Sequence, residues 1–405
     1  MSRRRPFILI TLLILTVGIA LAVWQVPRLE AVQAFWADRQ HDRVLADYTD
    51  KTVIATLEAL VESIERLDGA AERLAADPSQ AHLDTAAAAW RPARRLWQET
   101  LAFQYGPAAH YNFDKQLAAW PVDRVRVDHT LAGMAAGRLE LDPARLRDRR
   151  ATQRGLLTAE YLLFRDGAPR ALTGMGDAER RYLAAVTGAL RLEGSAFLAQ
   201  WAGTANLAPE RAAALEEAGF ESHTAYGDEL RNPGAPDSRY ASASVSLQDI
   251  LGDTLAATEQ GLCPRIAETL DTTDRWGSQT RLSRHGLADL QGTLQGVANS
   301  YLGGRPGDRG RSIAELMASY NAVVDRRIKI ALGQVAHRLE ALAGPDGVAD
   351  AEPNGLPARR AVAACETLRE RIGVATLIVT MHPRAKPWMA YGVEEAEPLR
   401  PGGMK

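Results

Sequence analysis

The chain has 405 residues, 46% of them hydrophobic and 24% charged, with 48 basic against 50 acidic side chains and a formal net charge of −2. That balance lacks the basic surplus of a nucleic-acid-binding surface, so no nucleic acid is expected as a partner. The length exceeds what one ordinary core needs and is enough for two domains.

In chain order, the first element is an uncharged run from Phe7 to Trp24. Arg3, Arg4 and Arg5 precede it and only Arg28 follows closely, an asymmetry that orients the remainder of the chain outward. At about 1.5 Å per residue the run spans about 27 Å, the lower limit for crossing a bilayer. Ala20-Leu21-Ala22 is also a small-residue cleavage site, so residues 1–27 read either as a signal peptide or as an inner-membrane anchor formed by residues 7–24. Both readings place the rest in the periplasm.

Helical periodicity dominates the remainder of the chain. Val53, Ile54, Leu57, Leu60, Val61, Ile64 and Leu67 recur at three- and four-residue steps, one apolar stripe of a helix. Ile313, Leu316, Tyr320, Val323, Arg327 and Ile330 follow a near-heptad that Leu332, Val335, Leu339 and Leu342 continue. No convincing alternating strand pattern stands between turn signals. The expected class is all-α, with a first helical bundle over residues 45–205 and a second over 246–382. Between them, residues 206–245 carry Gly219, Gly227, Asn232-Pro233-Gly234 and Pro236 and read as a linker. Residues 383–405, rich in Pro and Gly, read as a flexible tail. Cys263 and Cys365 are the only cysteines. In an oxidising compartment they either pair or remain two buried thiols, and spacing alone does not choose.

Trp90, Arg94, Glu99, Phe103, Gly106 and Pro107, then Trp120-Pro121, then Gly155-Leu156-Leu157-Thr158-Ala159-Glu160 followed by Tyr161-Leu162-Leu163-Phe164, form an ordered set. Later come Ser278-Gln279-Thr280, Leu287, Leu290, Leu294, Gly296 and Tyr301-Leu302-Gly303. Together they resemble the imelysin-like family, whose hallmark is Gly-x-His-x-x-Glu followed by Tyr-Leu-Leu-Phe. The resemblance covers about residues 45–385. It implies two helical bundles with the signature near their interface, and an exported or membrane-attached protein of the bacterial envelope tied to iron regulation or uptake. Some members are described as metallopeptidases. In this chain Leu157 stands where the family places its histidine.

On a helix, residues three apart share a face, so a histidine at position 157 and Glu160 would be able to share a metal. Leu157 can only pack. Glu160 then reads in two ways: paired with an arginine or a neighbouring helix, or kept as an altered site for a cation or small ligand. The candidates to complete such a site are Glu99, Asp114 and His110, with Asp123 and His129 beside them. Iron or another divalent cation is the cofactor such a set would take. A hydrolytic zinc site requires three protein ligands and an open position, and no His-Glu-x-x-His is present. Ser283 beside His285 reads as a helix cap, His337 with Glu340 as a solvated helix face, and Trp90 with Trp97 as core. The resulting expectation is an envelope protein for iron-related uptake or ligand binding without peptidase activity. A helical module that engages an envelope protein is the alternative, and a metallopeptidase with a rearranged site is a further one.

Overall fold

A computed structural model describes residues 40–221, 224–270, 279–344, 352 and 355–381. The apolar segment 7–24, the tail 383–405 and Ser278 lie outside the described residues. A helix from residue 40 passes through a π-helical turn, Tyr48–Ile54, into α1, Ala55–Ala76. Val53, Leu57, Leu60, Val61, Ile64 and Leu67 are all fully buried, as their spacing requires. A short turn leads to α2, Gln80–Glu99, which starts where the Ser79 side chain accepts from His82 N at 3.2 Å and satisfies one free helix-end donor. α3, Leu156–Leu163, is short, and α4, Asp177–Ala202, packs along α1. At their crossing Gly194 lets the backbone approach, since a Cβ there would sit 3.1 Å from Ile64 Cδ1.

The second half begins with α5, Ala243–Ala256, which runs through another π-helical turn, Ala257–Leu262, into α6, Cys263–Leu270. α7 (Gly286–Leu302), α8 (Ile313–Glu340) and α9 (Leu356–Met381) complete it. A Cys263–Cys365 disulfide ties α6 to α9, so of the two open readings the cysteines take the paired one. Among the described residues the only strands are Phe164–Arg165 and Ala168–Pro169, a two-residue antiparallel hairpin. The protein is all-α. Among the described residues no helix is long and apolar enough to cross a membrane.

Two features depart from the sequence pattern. The stretch 206–245 carries short helices Pro209–Glu217 and Tyr226–Arg231, and Tyr226, Leu230 and Tyr240 are buried in the same contiguous core as both halves. In α8, Asn321 leaves the helical region (φ −155°, ψ 94°), and its Oδ1 accepts from Val323 N and Val324 N, each at 3.1 Å. The helix therefore restarts with Asn321 as an internal cap. The apolar stripe rotates with it: Val323 and Ile330 are each 52% exposed, while Ile328, Leu332, Val335 and Leu339 are buried.

The halves meet where α2 crosses α7. A Cβ on Gly292 would lie 2.8 Å from Arg95 O, and one on Gly296 only 2.2 Å from Glu99 O. Gly296→Ala is therefore expected to force the two helices apart and cost about 1–3 kcal/mol. Gly333→Ala, where an added methyl meets nothing within 4 Å, should instead stabilise by about 0.5–1 kcal/mol. Paired urea titrations of the two variants check the contrast.

Candidate functional site between α2, α3 and α7

Trp90 on α2 fixes the site from one side, its indole N–H donating to Leu156 O at 2.7 Å where α3 begins. Gly155 precedes that helix at φ +93°, where an added Cβ would come 2.8 Å from Leu117 O; both the dihedral and the space demand glycine. One turn along α3, Glu160 is buried at 3% exposure. Its Oε1 accepts from Ser283 N at 2.8 Å and from Ser283 Oγ at 2.7 Å. Burial pushes the Glu160 carboxyl up to about 7; the Ser283 bonds and the Arg94 charge oppose the shift, and Asp289 adds to it. Leu157, on the same helix, is 1% exposed and packs.

The loop that presents Ser283 runs between α6 and α7. Thr280 and Arg284 take positive φ of 54° and 51°, and His285 N donates back to Thr280 O at 3.2 Å. Non-glycine residues rarely adopt that conformation, and here it turns the Ser283 N–H toward α3.

Beside Glu160 lies a second, fully buried acid. Asp289, in the first turn of α7, accepts from Arg94 Nη2 at 2.8 Å and Arg94 Nε at 3.1 Å, from Thr280 Oγ1 at 3.1 Å and from Arg265 at 3.3 Å. His285 Nδ1 stands 3.0 Å from its other oxygen, and the His285 ring lies edge-on to Trp90 at 5.3 Å. Burial opposes ionisation of Asp289, but the Arg94 guanidinium, the His285 hydrogen bond and Arg265 more than offset it and hold the carboxyl well below the usual range. Two neighbouring acids are thus driven in opposite directions, Asp289 fixed as an anion and Glu160 set to exchange a proton near neutrality.

Of the residues singled out from the sequence, Trp90, Arg94, Gly155, Leu157 and Glu160 come together here. Glu99, Asp114 and His110 do not. Glu99 is buried further along α2 and faces Arg305 at 3.6 Å, with burial raising its carboxyl. Asp114 lies in a short helix, Phe113–Ala118, that buries Phe113 and Leu117 and leaves Asp114 exposed. His110 is exposed, with its ring 4.6 Å from that of Tyr111. Asp123 caps the helix Arg124–Ala135, and His129 is exposed. Ser283 does not cap α7; it holds Glu160 instead. Among the described residues no group of three or more His, Cys, Asp or Glu is placed to hold a metal ion. Asp289 and Arg265 are the site members that sequence reasoning missed, and it offers Ser283 and His285 only as a helix cap. The available signal was His285 and Asp289, four apart at the start of a helix and therefore on one face.

The Glu160 linkage has a definite sign. The folded-state value, about 7, lies above the ordinary 4.5, so the folded protein holds the proton more tightly than the unfolded chain. The stabilisation is complete below pH 4.5 and is lost as pH rises through 7, a change of up to about 3 kcal/mol. Glu160→Gln keeps a side-chain acceptor for Ser283 and should flatten this slope, as denaturant midpoints measured from pH 4 to pH 8 will read.

An all-helical chain whose Trp90, Gly155 and Glu160 meet in one buried site defines the class of protein: an imelysin-type helical fold. The imelysin (Peptidase M75) family model matches residues 53–373, and the chain belongs to that family. It is 23% identical over 335 residues to the iron-regulated protein A of Synechococcus elongatus, covering 82% of this chain and 85% of that one. A crystal structure described as an iron-regulated protein A precursor from Parabacteroides distasonis superposes with a TM-score of 0.69 at 20% identity, covering 84% of this chain and 95% of that chain. An imelysin-like protein from Psychrobacter arcticum gives a TM-score of 0.56 at 13% identity, covering 84% and 93%.

Proposed function

We propose that this chain is a periplasmic protein of iron-related uptake or ligand binding, and that its signature site recognises a cation or small ligand through Glu160 without acting as a peptidase. The observation that carries the reading is the division of labour between the two acids. Asp289 is already saturated by two guanidinium groups, Thr280 and His285, whereas among the described residues the hydrogen bonds to Glu160 come from Ser283. A hydrolytic zinc centre needs three protein ligands and an activated water. Leu157 offers no ligand atom, and His285 directs Nδ1 to Asp289. The relatives named for iron regulation favour an iron-related role, and the disulfide suits an oxidising compartment.

Calorimetry with iron(II), iron(III), copper and zinc, on the purified protein and on Glu160→Gln, tests the proposal. Stoichiometric binding that strengthens as pH rises through 7 and vanishes in Glu160→Gln supports it. No binding by any of the four ions moves the function to a protein partner, a reading that exposed Val323 and Ile330 on α8 and Leu377 on α9 favour. Hydrolysis of a peptide substrate, abolished by Glu160→Gln, would overturn both.

A further inference from the structure

Beyond the break at Asn321, α8 buries Ile328, Leu332, Val335 and Leu339. Its opposite face carries Val323, Arg326, Arg327, Ile330, Gly333 and His337, all exposed and all on one stripe at steps of three and four. Val323 and Ile330 stand two turns apart with the two arginines between them. Among the described residues neither arginine has an ion-pair partner. From Ala322 to Leu339 the only acid is Asp325. It is buried away from the stripe, where it accepts from the Tyr301 hydroxyl at 3.1 Å and from Lys329 Nζ at 2.9 Å. On the neighbouring α9, Glu366 and Glu370 act on Arg369.

Valine and isoleucine are poor choices for the solvent side of a helix, which takes Ala, Glu or Lys at lower cost. One exposed apolar side chain needs no explanation. Two of them flanking an unneutralised arginine pair form the pattern of a basic amphipathic helix that lies on a membrane surface. Arginine suits that place: its stem lies along apolar surface while its planar fork binds phosphate oxygens through two parallel hydrogen bonds.

A protein partner would use the same apolar area, and the place of the stripe in the chain decides between the two. His41 is hydrogen-bonded to the Tyr320 hydroxyl, their rings edge-on at 6.2 Å, one turn before Val323. Only residues 25–40 separate the apolar segment 7–24 from His41. In the anchor reading of that segment, the stripe starts where the chain comes off the membrane. We infer that the exposed stripe of α8 docks on an anionic phospholipid surface, Arg326 and Arg327 on lipid phosphates and Val323 and Ile330 among the upper acyl chains. The contact is separate from the Glu160 site and adds to any N-terminal anchor.

The test uses the full chain with a polarity-sensitive nitrobenzoxadiazole label on Gly333→Cys, where an added side chain meets nothing within 4 Å. Cys263 and Cys365 are bridged, so the new thiol is the one that reacts. The labelled protein is combined with vesicles of phosphatidylcholine alone, or of phosphatidylcholine and phosphatidylglycerol in equal parts. The expected result is a blue-shifted, brighter emission with phosphatidylglycerol and not with phosphatidylcholine alone, weakened by added salt. The same label on Gly174→Cys, an exposed and equally open position in the first half, should not respond. Arg326→Glu combined with Arg327→Glu should lower the apparent vesicle affinity by about tenfold or more, and so should Val323→Ser combined with Ile330→Ser. A response that is equal for the two vesicle types, absent from both, or kept in the double arginine variant overturns the proposal. A response that appears without vesicles as protein concentration rises also overturns it and gives the stripe to a second copy of the chain.

Discussion

Replacing Arg94 with alanine should lower stability by about 3–5 kcal/mol, the penalty for removing one partner of a buried ion pair. Arg94 and Asp289 are both wholly inaccessible, and Arg94 supplies the shortest contact to the carboxylate. Without it, Asp289 keeps the more distant Arg265 and its bonds to Thr280 and His285, which places the expected loss at the lower end of the range. Much of the loss is the cost of an uncompensated charge rather than the worth of the contact. Arg94→Met combined with Asp289→Leu should therefore recover a large part of it, and a double-mutant cycle by urea denaturation reads the difference. The same pair sets an acid limit. Because the folded-state value of Asp289 is depressed, its stabilisation is present above the ordinary carboxylate range and is lost as pH falls through the depressed value. Arg94→Ala should begin to unfold at a higher pH than the unaltered protein.

Loss of the Cys263–Cys365 bridge should be as costly. The cysteines are 102 residues apart, and closing a loop of that length restricts the unfolded chain by about 4–5 kcal/mol in the entropic account. Both are buried, which shields the bridge from reductant in the folded state. The double variant Cys263→Ser, Cys365→Ser should melt well below the oxidised protein and show no further change with dithiothreitol. A reductant-induced fall in the oxidised protein alone, matching the double variant, completes the check. The bridge joins α6 to α9, so protection from hydrogen exchange should drop most in those helices.

Much of the frame was legible from residues that act through local periodicity or covalent limits. Val53 to Leu67 repeat at the helical period, Trp90 and Trp97 share a face two turns apart, and Gly155 holds a position that only glycine fits; each is buried or constrained as that reading requires. Glu160 was legible as an acid in need of a partner. Its partner was not, because Ser283 lies 123 residues away and Asp289 lies 195 residues from Arg94. Pairings at such separations leave no pattern in any window of sequence. Asp114 and His110 drew notice by residue type alone, and the short helices that carry them turn both to solvent. The Asn321 break was hidden for a different reason: no proline or glycine marks it, and the apolar period runs through it uninterrupted.

At Gly296 the α7 backbone lies directly against the α2 backbone at Glu99, and at Gly292 it lies against Arg95 O with the Gln98 Cβ beside it. Side chains at an ordinary helix crossing absorb displacement by changing rotamer, like a compliant gasket. Here that gasket is thinnest at Gly296, so a displacement of one helix toward the other has little side-chain slack to take it up. Arg94 and Glu99 lie along one helix, Asp289 along the other. A displacement of α7 would therefore meet the α2 backbone directly, on the same stretch of α2 that carries Arg94 and Glu99.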